Sequence, residues 1–259
     1  MKTIDLAPSP VLEIPPLILP TKVGGKKKTA DMVFFPGMWS TATHSPSSHW
    51  SDLVANLEVI NWPGHNGDDT HLLESLTFMD CYHHAVNELA KFISPPHVMA
   101  HSFGALVLGR VRYYQPQLMK SLVTINGAPP GQIGVPSKFR FVPYLYYLHG
   151  TKRPFELFSW DRAFVAGKSQ GIGFGPESAL VAKEVLQGQH HIPHREGLCE
   201  MLHVFGDSDQ FYSPRLQHKV AKVLGARPMI VEDADHMFHC NPRFKVPMQR
   251  IIEWSFSHN

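Results

Sequence analysis

Residues 100–104 read Ala100-His101-Ser102-Phe103-Gly104 and join two stretches of different character. The run at 97–99 is short and follows two prolines, while the run at 105–111 is apolar and helix-like. This order predicts a strand, a sharp turn and a helix. A turn this tight strains its central residue and brings the residues two before and two after it together, so both must be small. Ala100 and Gly104 meet that requirement, and the turn presents the Ser102 hydroxyl.

The serine turn needs partners before it indicates chemistry, because small-x-Ser-x-Gly also occurs by chance as an ordinary turn. The helix after it would aim its N-terminal N–H groups at the site, which favours negative charge on oxygen there. A serine hydroxyl is a weak nucleophile and needs a base, and the base needs an anion that fixes its tautomer. If Ser102 is a nucleophile, the loops after later strands should therefore hold a histidine and a carboxylate.

Strand-like runs alternate with amphipathic helix-like stretches along the chain. Apolar residues recur at helical spacing over 78–92 and 246–256, and Thr77 with Asp80 resembles a capping pair. Strands separated by helices predict an α/β fold, with a mostly parallel central sheet covered on both faces and a ligand at the carboxyl ends of the strands. The predicted strands are residues 32–35, 57–62, 97–101, 122–126, 201–205 and 228–231.

One region, residues 129–198, interrupts this alternation and carries no convincing buried strand. A gap of this length inside a compact domain is usually functional. We interpret it as a helical cap inserted after the strand ending near Asn126. The alternative is a second small core without a role in substrate binding. The first part of the region is rich in aromatic residues, namely Phe139, Phe141, Tyr144, Tyr146, Tyr147, Phe155, Phe158, Trp160 and Phe164.

Two later loops carry the partners that Ser102 requires. The first follows the strand at 201–205 and contains Asp207 and Asp209 before a predicted helix at 214–224. The second follows the strand at 228–231 and contains Asp235-His236. Both loops lie at carboxyl ends of predicted strands. The candidate groups follow one another along the chain in the order serine, aspartate, histidine.

On these residues the chain resembles the α/β-hydrolase superfamily from about residue 32 to its C-terminus. The motif at 62–67 is similar to the Asp-x-Pro-Gly-His-Gly loop of that family. The four signals are Phe35-Pro36-Gly37-Met38-Trp39, Trp62-Pro63-Gly64-His65-Asn66-Gly67, the nucleophile elbow at Ser102, and the paired Gly206-x-x-Asp209 and Asp235-His236 loops. The resemblance implies an α/β-hydrolase core at 1–128 and 199–259 and a helical cap or lid at 129–198.

The resemblance also implies roles for individual residues. Ser102 is the expected nucleophile, His236 the general base and Asp209 the acid, because the family places the carboxylate three residues after the glycine and some five before a proline. Asp207 is the alternative acid. Asp235 is poorly placed for that role, because an immediate neighbour of His236 does not easily reach its ring.

An oxyanion formed during acyl transfer needs N–H donors that are already in position. We expect them to be the backbone N–H groups of Phe103 and Met38, and we expect Trp39 and Met237 to contact substrate. Many relatives have a histidine where Pro36 stands here, a departure that concerns the rigidity of this loop rather than the oxyanion donor.

Composition excludes several classes of protein. The 259 residues, 43% hydrophobic and 18% charged, are enough for one substantial core. A net charge of +2 creates no strong field for nucleic acid. No run approaches the roughly 18 apolar residues of a membrane span, and the N-terminus has no signal-peptide pattern. Three widely spaced cysteines favour reduced thiols and a cytoplasmic location. The oligomeric state and the role of the proline-rich segment at 8–20 stay open.

We expect no bound metal and no cofactor. The histidines at 190–194 are interrupted by Pro193, and those at 236–239 lack a matching Glu or Cys ligand pattern. The glycines at 171–175 do not join a strand to a helix with a P-loop lysine, and no dinucleotide fingerprint is present.

The resulting hypothesis is a serine hydrolase of the carboxylesterase or thioesterase type. Its substrate would be a small molecule with an apolar acyl or ring portion, as the aromatic cap suggests. One alternative uses the same fold and triad for C–C bond hydrolysis, lyase or cofactor-free oxygenase chemistry, since fold alone does not select a reaction. Another is a non-catalytic relative that binds a small apolar ligand.

Overall fold

The central feature of the fold is a six-stranded parallel sheet with the order β2-β1-β3-β4-β5-β6. The computed structural model describes residues 27–38, 40, 50, 52–65, 69–134, 136, 177–193 and 198–258. The strands are β1 Met32–Phe35, β2 Leu57–Val59, β3 His97–His101, β4 Ser121–Ile125, β5 Glu200–Gly206 and β6 Arg227–Val231. The predicted α/β fold class is confirmed.

Five α-helices accompany the sheet in the described part of the chain. Helix α1 begins with the predicted capping box, in which Thr77 and Asp80 each bond the other's backbone N–H. The helices are α1 Phe78–Leu89, α2 Phe103–Tyr114, α3 Ala179–Leu186, α4 Pro214–Leu224 and α5 Lys245–Phe256. None of these helices is long and apolar enough to cross a membrane.

Side chains of successive strand residues enter two different hydrophobic clusters. Val33 and Phe35 pack in one cluster with α1 to α4, whereas Met32 and Phe34 pack in the other with α5. This alternation follows from the pleat of the strand, in which neighbouring side chains point to opposite faces. Helices therefore cover both faces of the sheet, which explains why the strands read as continuous apolar runs.

Two strand predictions extend beyond the observed strands. The run at 57–62 was expected to be one strand, but β2 ends at Val59, and the indole of Trp62 turns inward to donate to the Pro36 carbonyl at 2.9 Å. The strand at 122–126 ends at Ile125, because Asn126 has a φ of 45°, which no strand residue adopts. The predicted helix at 214–224 matches α4.

Helix α3 falls inside the range predicted for the cap. Its Ala179, Val181, Ala182 and Val185 are buried in the same cluster as α1 and α2, so this helix packs on the core. Residues 137–176, which hold the aromatic part of the predicted cap, lie outside the described residues.

Candidate active site

Ser102 stands at the junction of β3 and α2 in a strained backbone conformation, with φ 50° and ψ −112°. Hydrogen bonds on both sides hold it there. Its N–H donates to the Ile125 carbonyl at 2.9 Å, and its carbonyl accepts from Ala105 N at 3.1 Å and Ala128 N at 2.9 Å. Strain that is held in this way is typical of functional sites. The sharp strand-to-helix turn predicted at Ser102 is therefore present.

Small residues are required around the turn because backbone segments pass within contact distance of it. A Cβ at Gly104 would lie 2.6 Å from the Pro36 carbonyl oxygen and 2.8 Å from that of Phe35. A Cβ at Gly37 would lie 3.1 Å from Ser102 Cβ. The loop that follows β1, which carries the predicted oxyanion donor Met38, is thus packed directly against the serine.

Asp209 and His236 form a buried pair at the ends of β5 and β6. Asp209 Oδ2 lies 2.9 Å from His236 Nδ1, and the two side chains are 0% and 5% exposed. Asp209 Oδ1 accepts from Phe211 N at 2.6 Å and Tyr212 N at 3.2 Å. A carboxylate facing Nδ1 holds the proton on that nitrogen and leaves Nε2 as the basic nitrogen of the neutral ring.

Asp207 and Asp235, the other candidate acids, make other contacts. Asp207 is exposed, and its carboxylate accepts from the Ser208 hydroxyl at 3.2 Å. Asp235 is buried, and its Oδ1 accepts from Met237 N at 3.0 Å, which closes a local turn. Among the three candidates, Asp209 is the one that meets the His236 ring.

The His236 ring is held between two other rings. The ring centroid of Phe211 lies 4.4 Å away at 30°, and that of His101 lies 4.7 Å away at 58°. His101 Nε2 also lies 2.9 Å from the His236 carbonyl oxygen. Because His101 directly precedes Ser102, this contact ties the serine turn to the histidine loop.

Asn126 is a further residue of the site that the sequence did not single out. Its Nδ2 donates to the carbonyls of Asp235 and His236, both at 3.0 Å, and its Oδ1 accepts from Gly206 N at 2.9 Å. The side chain is fully buried. The available signal was Asn-Gly at the end of a strand, since asparagine tolerates positive φ better than most residues.

Tyr212 is a second residue that the sequence did not single out. Its side chain is buried, and its ring lies edge-on to His236 with centroids 5.6 Å apart. Burial, and then the nearby Asp209 carboxylate, raise the pKa of Tyr212, which keeps the phenol protonated. An aromatic residue in a loop carries no sequence signal for this contact.

The residues expected to bind the oxyanion lie on the two segments that meet at Ser102. Phe103 opens α2, where the first N–H groups of a helix have no acceptor within the helix. Its side chain packs on Trp62 and Phe78, with ring centroids 5.4 Å and 5.9 Å away. Met38 is buried in the same cluster, one residue after Gly37.

The two residues expected to contact substrate have different positions. Trp39 lies outside the described residues. Met237 is 1% exposed and packs in the cluster that contains α1 to α4. Contact of either residue with substrate stays a prediction.

A buried pair links the loop after β2 to the residues preceding α3. His65 Nε2 lies 3.2 Å from Glu177 Oε2, with side chains 3% and 1% exposed, and His65 Nδ1 lies 3.1 Å from the Pro63 carbonyl oxygen. Burial lowers the pKa of His65, but Glu177, the Pro63 carbonyl and Asp69 outweigh it, so the pKa is raised. Both ring nitrogens face acceptors, as an imidazolium requires.

Clustered histidines do not form a metal site in the described part of the chain. There, no group of three or more His, Cys, Asp or Glu side chains is arranged to hold an ion. His190 stacks on Phe78 with centroids 3.6 Å apart, and burial lowers its pKa to about 3. His239 packs against His101, with ring centroids 4.2 Å apart.

Solved structures with the same fold span almost the whole chain. A monoacylglycerol lipase from Paleococcus ferrophilus is 16% identical with a TM-score of 0.63, and the match covers 91% of this chain and 98% of that one. A pyrethroid hydrolase from Sphingobium faniae is 16% identical with a TM-score of 0.64, covering 88% and 98%. A thioesterase domain from the curacin biosynthetic pathway is 13% identical with a TM-score of 0.57, covering 86% and 90%.

Comparison with curated proteins found no match. A family model described as the alpha/beta hydrolase family matches residues 32–243, which include the serine turn, the Asp209 loop and the His236 loop. The structure agrees with this family match, because the sheet is parallel and a strained serine lies between β3 and α2. The chain belongs to the alpha/beta hydrolase family.

Proposed function

We propose that the protein is a serine hydrolase that cleaves a carboxylic ester or thioester through an acyl-serine intermediate. The observation that carries this proposal is the strained Ser102 turn beside the buried Asp209–His236 pair. Two contacts support their adjacency. His101, which directly precedes Ser102, packs on the His236 ring at 4.7 Å between centroids, and its Nε2 lies 2.9 Å from the His236 carbonyl oxygen.

In acylation, His236 Nε2 accepts the Ser102 proton while Oγ attacks the substrate carbonyl carbon. Asp209 accepts the Nδ1–H hydrogen bond and stabilises the imidazolium that forms. The carbonyl oxygen becomes an oxyanion, which the N–H groups of Phe103 and Met38 stabilise, each donor being worth about 3 kcal/mol of barrier. His236 then gives its proton to the departing alcohol or thiol.

In deacylation, water attacks the acyl carbon and loses a proton to His236. The tetrahedral intermediate collapses, the bond between carbon and Oγ breaks, and Oγ takes a proton back from His236. The carboxylic acid leaves, and Ser102 is restored. Only residues of this chain and water take part, so the reaction requires no cofactor and no metal.

The substrate we propose is a small molecule with an apolar acyl or ring portion. The aromatic residues at 139–164, which belong to the predicted cap, support this choice. The names lipase, pyrethroid hydrolase and thioesterase among proteins of the same fold agree with acyl substrates. The free Cys81, Cys199 and Cys240 support a cytoplasmic location.

A panel of nitrophenyl esters and acyl thioesters of increasing acyl length tests this proposal. We expect turnover by the parent protein, a preference for apolar acyl groups, and loss of turnover in Ser102→Ala. Equal turnover by the parent and Ser102→Ala would refute the acyl-serine route.

A further inference from the structure

His101 lies between the serine turn and the loop that carries His236. It is the last residue of β3, and Ser102 follows it directly in the chain. Its Nε2 lies 2.9 Å from the His236 carbonyl oxygen. Because a carbonyl oxygen only accepts, Nε2 carries the proton and donates it to this bond. One hydrogen bond thus joins the residue before the proposed nucleophile to the residue that supplies the proposed base.

The His101 ring is held from several sides. Its side chain is 2% exposed, and its ring centroid lies 4.7 Å from that of His236 and 4.2 Å from that of His239. The loop after β1 covers a further side, because a Cβ at Gly37 would lie 2.8 Å from His101 Nδ1. This packing fixes the orientation of the ring, so the N–H of Nε2 stays aimed at the His236 carbonyl.

The His236 carbonyl also accepts from a second donor at the neighbouring strand end. Asn126 Nδ2 lies 3.0 Å from it, and Asn126 directly follows β4. Strands β3 and β4 are paired, with His101 opposite Ile125, so both donors come from adjacent strand ends. Ser102 N donates to the carbonyl of the same Ile125 at 2.9 Å. The backbone of the base is therefore anchored to the part of the sheet that holds the serine turn.

We propose that His101 is a positioning residue for His236, whose Nε2–H bond fixes the backbone of the base relative to Ser102. The inference rests on the proposed acyl-serine function. Proton transfer from Ser102 Oγ requires the base within hydrogen-bond distance. Misplacement of a catalytic group by about 1 Å can cost on the order of 100-fold in rate. His101 acts through the His236 backbone and not on the substrate.

Two substitutions separate this hydrogen bond from the packing of the ring. His101→Phe keeps a buried aromatic ring and loses the donor. His101→Gln loses the ring and keeps an N–H, because the amide nitrogen of glutamine is as many bonds from Cβ as Nε2 of histidine. His97→Phe is the matched control. His97 is the other histidine of β3, is 3% exposed, and bonds the Ser121 hydroxyl through Nδ1 at 2.9 Å.

The measurements are kcat and KM for a nitrophenyl ester and the second-order rate of labelling by a fluorophosphonate. All are taken below the thermal unfolding transition of each variant. We expect His101→Phe to lower kcat and the labelling rate about 10- to 100-fold and to change KM less than about twofold. We expect His101→Gln to recover both rates to within about fivefold of the parent, and His97→Phe to leave both rates unchanged.

Parent rates in His101→Phe overturn the role of His101, because the ring alone would then be sufficient. Rates in His101→Gln as low as those in His101→Phe overturn it as well, because restoring the donor would then have no effect. If His101→Phe does not fold, His101→Leu takes its place as the variant without a donor, and the same comparison with His101→Gln decides. A parent protein that is neither labelled nor active overturns the proposed function, and this inference with it.

Discussion

Asp209 Oδ2 lies 2.9 Å from His236 Nδ1, although 27 residues separate the two along the chain. They meet because β5 and β6 are parallel neighbours, with Gly206 paired to Val231, so the loops after both strands leave the same edge of the sheet. The serine turn after β3 leaves that edge as well. Parallel pairing thus gathers at one place three groups that are far apart in sequence.

The Asp209–His236 contact predicts different outcomes for two neighbouring aspartates. Asp209→Asn replaces the acceptor for Nδ1–H and allows the wrong tautomer, so we expect kcat to fall about 10³- to 10⁴-fold. Asp207→Asn is the matched control, because Asp207 is exposed and bonds Ser208. Steady-state ester hydrolysis by both variants checks this. A large loss in Asp207→Asn with little loss in Asp209→Asn would contradict the assignment.

The sequence predicts the fold well where local signals are strong. Helix α4 and the capping box of α1 are found at the predicted positions, since helical periodicity and Thr77 with Asp80 are short-range features. β2 is overestimated, because 60–62 reads as a strand until Trp62 turns into the core to bond Pro36. That bond depends on tertiary packing, which no local pattern reports.

The site is less predictable, because several of its contacts join distant parts of the chain. Asp209 can be chosen from its spacing to a glycine and a proline. The bond between His65 and Glu177 crosses 112 residues, and that between Asn126 and His236 crosses 110. No spacing along the sequence indicates that either pair will form. Each pair forms only when folding of the sheet brings the two segments together.

Substitution of Asn126 should reduce both stability and activity. Asn126→Ala removes three buried hydrogen bonds and leaves a residue at φ 45° that alanine adopts with strain. We expect the free energy of unfolding to fall by about 3 kcal/mol and kcat to fall because the His236 loop loses its support. Denaturant titration and ester kinetics measure both. Asn56→Ala, which removes an exposed bond to Thr29, serves as control and should behave like the parent.

Gly104 predicts a steric cost at the serine turn. In Gly104→Ala the new Cβ meets two backbone oxygens, at 2.6 Å and 2.8 Å, which cannot rotate away. We expect destabilisation of about 2 kcal/mol, the usual range for overpacking. Gly109→Ala in the same helix meets flexible side-chain ends, at 3.0 Å on Ile192 and 3.4 Å on Leu224, and should be far milder. Thermal unfolding compares the two variants. Equal midpoint temperatures for Gly104→Ala and Gly109→Ala would show that the turn can relax around the new Cβ.

The buried His65–Glu177 pair predicts a pH dependence of stability. The folded-state pKa of His65 is raised above its ordinary value of 6.5, so its contribution is fully present below pH 6.5 and is lost as pH rises through the folded-state pKa. Glu177→Gln removes the strongest cause that raises this pKa. We therefore expect the stability difference between parent and Glu177→Gln to be largest below pH 6.5 and to shrink as pH rises.

Denaturant titrations at a series of pH values measure this difference. Glu232→Gln makes the same chemical change at an exposed position and should leave the pH profile unchanged. Profiles of parent and Glu177→Gln that run parallel across the range would show that the pair does not titrate as described.

Covalent capture tests whether Ser102 is the nucleophile. The protein is incubated with a fluorophosphonate, and the intact mass and the labelled peptide are determined by mass spectrometry. We predict one phosphonyl adduct per chain, located on Ser102, with loss of ester hydrolysis in proportion to labelling and no adduct on Ser102→Ala. An adduct on another residue, or an unlabelled parent that still hydrolyses esters as fast as before, would contradict the assignment of Ser102 as the nucleophile.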